Sequence, residues 1–116
     1  MYQVYGIPNC DTVKKAVTWL SDHKIGFEFN DYKKKGITAR KLKSWCKQVG
    51  WEALLNKKGT TWKKIDPTVQ ATITNEKAAI ALLVENTSMI KRPLVELEDK
   101  VVSLGFESEI YQKIFG

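Results

Sequence analysis

The sequence has little of the chemistry on which many small specialised proteins depend. It contains two cysteines and one histidine, too few for a disulfide scaffold or for a structural zinc site without several carboxylates, so no metal site is expected. No run approaches the ~18 apolar residues of a membrane-spanning helix. The first ten residues lack the charged and apolar regions of a secretory signal. These absences predict a cytoplasmic protein in a reducing compartment, with no membrane partner.

Arginine is also scarce, with two residues against 17 lysines. The net charge of +6 comes from residues 24–64, where twelve basic and three acidic residues give +9. Because arginine is favoured for bidentate contacts with bases and phosphates, this composition argues against sequence-specific nucleic-acid binding. A basic segment of this kind is usually a solvated face, and the alternative is a surface for a protein partner.

The length of 116 residues and the 43% apolar content predict one domain, residues 1–116, with a packed core. Strands are predicted at 2–5 and 27–32, on either side of a helix at 11–23 with apolar residues at helical spacing. A basic loop at 33–36 follows. Thr38 is then the expected N-cap of a helix that Gly50 ends, with an inner face formed by Leu42, Trp45, Cys46 and Val49.

The second half begins with a short apolar turn at 51–55 and a polar loop at 56–61. The Asp66-Pro67 pair is typical of a helix start. A longer helix is predicted from 74–76 to about Glu85, and its apolar residues on nearly all sides predict burial all round. Strands at 94–97 and 101–104 follow, joined by a turn at 98–100. The final helix is expected to bury one side, formed by Phe106, Ile110, Tyr111, Ile114 and Phe115.

This order of elements is βαβ, then several helices, then ββα. A strand–helix–strand start implies a right-handed parallel crossover, and the closing strands can form an antiparallel hairpin on the same sheet. The sequence therefore predicts an α/β protein with a thioredoxin-like fold. Its mixed four-stranded sheet would be interrupted by a helical insertion at about 37–88.

Cys10 lies where the turn after the first strand meets the first helix. Unpaired backbone N–H groups and the positive end of the helix dipole stabilise a thiolate at such a place. Lys14 and Lys15 are expected to add to this field, while Asp11 opposes it. We therefore expect a lowered pKa for the Cys10 thiol. The alternative is a small buried apolar residue, which is the usual role of a free cysteine.

Cys46 and His23, the two other residues with reactive side chains, do not complete a site with Cys10. Cys46 lies on the apolar face of its helix and is interpreted as a core residue. Val13 occupies the place of the second cysteine of a C-x-x-C motif, so a reactive Cys10 would need an external thiol. His23 lies at the far end of the same helix, about 20 Å from Cys10, and is interpreted as a surface residue.

Residues 5–16 (YGIPNCDTVKKA) resemble the active-site turn of the arsenate reductase-like (ArsC/Spx) family, most closely its YffB branch. Residues 50–56, 59–64, 90–94 and 104–106 extend the resemblance over nearly the whole chain. The resemblance implies a thioredoxin fold with inserted helices, and it makes Cys10 the nucleophile. It places Arg92 and Pro93 beside Cys10 and implies a cis bond before Pro93. Arg92 would bind an oxyanion or a glutathione carboxylate; otherwise it is a surface arginine in an ion pair.

The sequence departs from the family at several positions. Arsenate reductases carry three arginines around the cysteine, and only Arg92 matches; Asn56 stands where the first would lie, and no arginine lies near Leu104. The histidine before the reductases' cysteine is also missing, with Gly6 near that place. Spx-type regulators usually have a C-x-x-C switch, which Val13 interrupts here. Arsenate reduction and redox-switched regulation are both disfavoured.

The leading hypothesis is a glutathione-dependent thiol/disulfide reductase with no bound cofactor, in which glutathione is the co-substrate. The residues expected to bind substrate or glutathione are Asn9, Asp11, Thr12, Lys14, Arg92 and Pro93. One alternative is an Spx-like adaptor that binds RNA polymerase or another protein through the basic segment 24–64. A second alternative is a weak arsenate reductase.

Overall fold

A mixed four-stranded sheet is built from both ends of the chain. The computed structural model describes all 116 residues. The strands are β1 (Tyr2–Gly6), β2 (Phe27–Asp31), β3 (Leu94–Leu97) and β4 (Lys100–Leu104), in the order β2-β1-β3-β4. β1 runs parallel to β2 and antiparallel to β3, and β3 and β4 form an antiparallel hairpin. The thioredoxin-like α/β fold and the mixed sheet predicted from the sequence are confirmed.

Eight helices accompany the sheet. They are α1 (Asp11–Asp22), α2 (Tyr32–Lys35), α3 (Ala39–Val49), α4 (Trp51–Leu54), α5 (Thr60–Lys63), α6 (Pro67–Gln70), α7 (Glu76–Glu85) and α8 (Ser108–Phe115). A short 3₁₀ helix at Thr87–Met89 follows α7. None of these helices has the length and apolar content needed to cross a membrane.

The chain divides into two compact units. Residues Met1–Lys35 and Arg92–Gly116 form the first unit, which holds the sheet, and Gly36–Lys91 form the second. The predicted insertion, residues 37–88, lies within the second unit. That the two units make one domain stays a prediction.

The core of the first unit lies on one face of the sheet. Val4 and Val95, on adjacent strands, pack with Ala16 and Leu20 of α1 and with Tyr111 of α8. All five side chains are buried. Burial of this apolar face, with its helical spacing in α1, is what stabilises the helix on the sheet.

Tyr5 and Glu96 form a polar pair on the same two strands, β1 and β3. Glu96 is only 2% exposed, and the Tyr5 hydroxyl donates a hydrogen bond of 3.1 Å to its Oε1. A buried carboxylate needs such donors, because its desolvation without them costs roughly several kcal/mol of free energy. The pair therefore links β1, which leads to the turn containing Cys10, with β3, which follows Arg92 and Pro93.

The second unit contains the predicted helix after Thr38. The Thr38 Oγ1 accepts a hydrogen bond from the Lys41 N–H at 3.1 Å, which caps α3 as expected. Leu42, Trp45 and Cys46 are buried on its inner face. Gly50 ends the helix with a φ of 88°, a conformation that favours glycine.

Two predicted burial patterns are wrong in part. Helix α7 buries only Ala79 and Leu83, while Ala81 is exposed and Val84 is 38% exposed. In α8, Tyr111 is buried, but Ile110 and Ile114 are 46% and 38% exposed. Both helices are short and lie on the surface of their unit, so each buries one narrow stripe. The buried stripe of α8 is centred on Tyr111, and Ile110, about 100° away around the helix axis, lies outside it.

Three predicted loops or turns also contain helix. The basic residues 33–36 were expected to form a loop, but Tyr32–Lys35 form one helical turn, α2. Asp31 Oδ1 accepts hydrogen bonds from the N–H groups of Lys33 and Lys34, which stabilises this turn. The turn at 51–55 contains α4, and the loop at 56–61 runs into α5. Helices of four residues give no periodic signal in the sequence.

Candidate active site at Cys10

Cys10 is the N-cap residue of α1, as predicted. Its backbone is extended, with φ −146° and ψ 124°, and its carbonyl accepts the first helical hydrogen bond, from the Lys14 N–H at 2.9 Å. The side chain is half-buried. The thiol is therefore at the amino end of a 12-residue helix and still reachable from solvent.

The pKa of the Cys10 thiol is lowered from its ordinary value, as the sequence predicts. Burial alone acts to raise it, but the backbone N–H of Val13, the Arg92 guanidinium and the backbone N–H of Thr12 together outweigh burial. The Thr12 and Val13 N–H groups belong to the first turn of α1, whose N–H groups have no partner within the helix and stabilise a thiolate placed there. Lys14 and Lys15 are not among the groups that lower this pKa, which corrects the expectation for both lysines.

Arg92 is brought to Cys10 by the pairing of β1 with β3. Tyr5 pairs with Leu94 in an antiparallel register, so the end of β1 meets the start of β3. Arg92 is half-buried, and its guanidinium is close enough to the Cys10 thiol to lower the pKa of that thiol. That Arg92 binds a substrate anion stays a prediction.

Pro93 is buried, and its peptide bond with Arg92 is cis, as the resemblance implies. Its carbonyl accepts a hydrogen bond of 2.8 Å from the Gly105 N–H. Gly105 follows β4 and has a φ of 84°. The residue after Arg92 is thus held in place by the end of the hairpin.

Tyr32 is a site residue that sequence reasoning missed. Its side chain is 2% exposed, and its hydroxyl is hydrogen-bonded to Arg92. Burial raises the pKa of the Tyr32 hydroxyl, and the nearby Cys10 thiolate raises it further, although Arg92 acts in the opposite direction. Tyr32 is therefore neutral across the physiological pH range.

A signal for Tyr32 was present in the order of the strands. β1 and β2 are parallel, and Gly6 pairs with Asp31, so the residues that follow the two strands emerge at one edge of the sheet. Tyr32 follows β2 directly, and Cys10 is on the turn after β1. The alternation of residues 27–32 predicts Tyr32 to be the last residue of the second strand, a position that indicates no role at the site.

The other predicted binding residues are close to Cys10 in sequence and face solvent. Asn9, Asp11, Thr12 and Lys14 are all exposed. Lys14 also lines an apolar groove of about 240 Å³. The groove is lined by Pro8, Val13, Lys14, Val17, Thr18 and Phe29. Such a groove is large enough for one side chain of a substrate.

Cys46 and His23 lie outside this site, as predicted. Cys46 is 5% exposed, and burial, with a smaller effect from the Glu76 carboxylate, raises the pKa of its thiol to about 11. It is therefore an unreactive core residue at neutral pH. His23 is exposed at the end of α1, where its ring stacks on Trp19 at 3.7 Å between centroids.

Comparisons with known proteins agree with this site and fold. The ArsC family model matches residues 5–114. An uncharacterized protein of Haemophilus influenzae is 42% identical over 115 residues, which is 99% of each chain. A solved structure of a YffB protein is 41% identical, with a TM-score of 0.92 and complete coverage of both chains.

A more distant relative is the global transcriptional regulator Spx 2 of Bacillus cereus. It is 24% identical over 115 residues, which cover 97% of this chain and 86% of the regulator. Together with the match to nearly the whole family model, these similarities show that the chain belongs to the ArsC family.

Proposed function

We propose that the protein is a thiol–disulfide oxidoreductase that uses Cys10 as its single nucleophile and glutathione as its co-substrate. The observation that carries this proposal is the position of the Cys10 thiol, at the amino end of α1 and beside the Arg92 guanidinium, which lowers its pKa. Both features stabilise the thiolate, which is the nucleophilic form of cysteine.

The proposed cycle has two exchange steps. In the first, the Cys10 thiolate attacks the glutathione sulfur of a substrate–glutathione disulfide, a bond forms between these two sulfurs, and the substrate leaves as a thiolate that takes a proton from water. In the second, the thiolate of another glutathione attacks the glutathione sulfur bound to Cys10. Glutathione disulfide leaves and the Cys10 thiolate returns. Over the cycle the substrate sulfur is reduced from disulfide to thiol and the sulfur of the second glutathione is oxidised from thiol to disulfide, while the first glutathione sulfur is a disulfide sulfur at the start and at the end.

The need for an external thiol follows from the cysteines of the chain. Val13 stands where a C-x-x-C motif would have its second cysteine. Cys46 is buried, and its thiol has a raised pKa of about 11, so little thiolate forms there near neutral pH. Resolution of a Cys10 mixed disulfide therefore needs a small thiol from solution, and glutathione is the abundant one in a reducing compartment.

Glutathione itself has two carboxylates and one ammonium group, and the surroundings of Cys10 offer partners for both signs. We assign Lys14 and Arg92 to the carboxylates, Asp11 to the ammonium group, and Asn9 and Thr12 to polar contacts with the peptide groups. The backbone before Pro93 would pair with the cysteinyl part of the tripeptide. All of these residues except Arg92 and Pro93 are exposed, so a solution ligand can reach them.

Arsenate is a poorer fit to this site. Its transfer to a thiol places two or more negative charges beside the sulfur, and Arg92 is the one cationic group that lowers the pKa of Cys10. Tyr32, the other side chain bonded to Arg92, is neutral and adds no positive charge. One guanidinium balances a thiolate, but it does not balance a thiolate and a dianion together.

The test is a reductase assay on a glutathionylated peptide, with glutathione, glutathione reductase and NADPH. We expect turnover by the wild type, none by Cys10→Ser, and near wild-type turnover by Cys46→Ala, the matched control. Mass spectrometry after treatment with glutathione disulfide should place one glutathione on Cys10. Absence of both turnover and adduct would refute the proposal. Arsenate in place of the peptide, with arsenite formed only when Cys10 is present, would favour the arsenate reductase.

A second candidate is an Spx-like adaptor, favoured by an exposed basic line on the second unit. Arg40, Lys43 and Lys47 are exposed on α3 at positions i, i+3 and i+7, so they share one face of the helix. They belong to the basic segment 24–64, for which a protein partner such as RNA polymerase is proposed. The test is binding of purified bacterial RNA polymerase by the Cys10→Ser protein. Retained binding that Lys43→Glu with Lys47→Glu abolishes would support the adaptor.

A further inference from the structure

We infer that Tyr32 is a positioning residue of the Cys10 site, whose hydroxyl holds the Arg92 guanidinium against the Cys10 sulfur. It is not a nucleophile or an acid–base group in this role. The inference concerns the nucleophile of the proposed function, but it does not depend on glutathione as the co-substrate.

The sheet brings the three residues to one edge. Gly6 of β1 pairs with Asp31 of β2, so Tyr32 starts where the turn to Cys10 starts. Tyr5 pairs with Leu94, so Arg92 approaches the same edge from the start of β3. Cys10, Tyr32 and Arg92 therefore lie next to the ends of β1, β2 and β3. Their meeting depends on the register of β1 with β2 and on the register of β1 with β3.

Burial makes Tyr32 a rigid partner. The whole residue is 2% exposed, whereas Arg92 and Cys10 are half-buried. A long arginine side chain at a partly open site has considerable rotamer freedom, and fixing one N–H on a buried oxygen removes much of it. The guanidinium has five N–H donors in a fixed plane, so a bond to Tyr32 leaves others for the Cys10 sulfur.

The neutral state of Tyr32 matters as much as its position. The Arg92 guanidinium acts on both the Tyr32 hydroxyl and the Cys10 thiol, and it lowers the pKa of each. Burial keeps the proton on the Tyr32 oxygen by raising its pKa, so the charge of Arg92 acts on the thiolate. A neutral phenol can thus accept a hydrogen bond from the guanidinium and orient it without cancelling its charge. A carboxylate at this place would cancel that charge.

The test is Tyr32→Phe, which removes the hydroxyl and keeps the ring. We expect the midpoint of thiolate formation, followed by absorbance near 240 nm against pH, to move to higher pH. The iodoacetamide rate of Cys10 at pH 7 should fall severalfold, while the limiting rate at high pH is unchanged. Tyr111→Phe is the matched control, because Tyr111 is also buried, at 1% exposure, and its hydroxyl donates to the Gly105 carbonyl. It should leave the midpoint in place.

The same titration in an Arg92→Ala background separates positioning from a general structural effect. If Tyr32 acts through Arg92, adding Tyr32→Phe to Arg92→Ala moves the midpoint no further. An unchanged midpoint in Tyr32→Phe, or an equal additional shift in the Arg92→Ala background, would overturn the inference. If Tyr32→Phe does not fold, the same titration is made with difluorotyrosine at position 32, because fluorine weakens the oxygen as an acceptor. An unchanged midpoint in that protein would also overturn the inference. If these shifts are present but the wild type has no reductase turnover, the proposed function fails and the role of Tyr32 stands.

Discussion

The Arg92 guanidinium lies beside the Cys10 thiol and lowers its pKa, although the two residues are 82 positions apart in the chain. Their meeting is a consequence of strand pairing, because the end of β1 and the start of β3 are neighbours in the sheet. A fixed positive charge beside a thiol lowers its pKa in a way that a mobile surface lysine does not. The pairing of β1 with β3 therefore places the positive charge of Arg92 at the site.

Replacement of Arg92 by lysine should make Cys10 less reactive. A lysine keeps the charge but loses the planar array of donors that bonds the sulfur and Tyr32 together. We expect the Cys10 thiolate titration to move to higher pH and the iodoacetamide rate at pH 7 to fall severalfold. Arg92→Ala should produce the larger change of the two.

Arg40→Lys is the matched control, since the chain has one other arginine and it is exposed on α3. It should leave the titration of Cys10 unaltered. If Arg92→Lys and Arg40→Lys gave the same titration as the wild type, the guanidinium would have no specific role at the thiol.

Gly6→Ala should disturb the turn that presents Cys10. A Cβ on Gly6 would stand 3.0 Å from Val13 Cγ2, so Val13 must move, and its N–H is the largest of the groups that lower the pKa of Cys10. We expect a loss of about 1–3 kcal/mol in the free energy of unfolding, typical of overpacking, together with a less reactive thiol at pH 7. Urea unfolding and the iodoacetamide rate measure the two effects.

Gly26→Ala serves as the comparison for Gly6→Ala, because a Cβ there meets nothing within 4 Å. Reducing the freedom of the unfolded chain should leave this variant as stable as the wild type or slightly more stable. Equal unfolding midpoints for the two alanine variants would show that Gly6 has room for a methyl group.

Much of the active site could be predicted from local sequence. The helical spacing after Cys10 located α1, and the position of the thiol at its start predicted the direction of the pKa shift. The role of Tyr32 was beyond this reasoning, because it depends on the register that pairs Gly6 with Asp31. The expectation that Lys14 and Lys15 lower the pKa of Cys10 is wrong for a related reason. Spacing in a sequence does not say whether a long side chain turns toward a neighbour or toward water.

In the fold as well, features set by local sequence could be predicted and features set by tertiary packing could not. The Thr38 cap and the β3–β4 turn follow from residue types and spacing, and both are present. That turn uses Glu98 and Asp99 at φ 51° and 66°, without the glycine that usually favours such angles. The exposure of Ile110 could not be predicted, since it depends on which side of α8 faces the sheet.

Tyr5→Phe should destabilise the protein through Glu96. The variant removes the hydroxyl that donates to the Glu96 Oε1 and leaves a nearly fully buried carboxylate with fewer donors. We expect a loss of about 1–3 kcal/mol in the free energy of unfolding, which urea denaturation measures. The loss should shrink when Glu96→Gln is introduced as well, because a neutral amide needs less stabilisation. An undiminished loss in the double variant would show that Tyr5 acts through packing instead.

The buried thiol of Cys46 should make the protein less stable in alkali. Its pKa is about 11 in the folded protein, because of burial and the Glu76 carboxylate, and about 8.5 in an unfolded chain. Below pH ~8.5 both states keep the proton and the thiol has no effect. Between that pH and 11 only the unfolded chain loses the proton, which favours unfolding by an amount that grows to about 3 kcal/mol near pH 11. The measurement is urea unfolding against pH for Cys46→Ala and the wild type, since other titrating groups cancel in the difference. The wild type should lose stability faster above pH ~8.5; parallel curves would mean that Cys46 ionises as freely in the folded protein as in the unfolded chain.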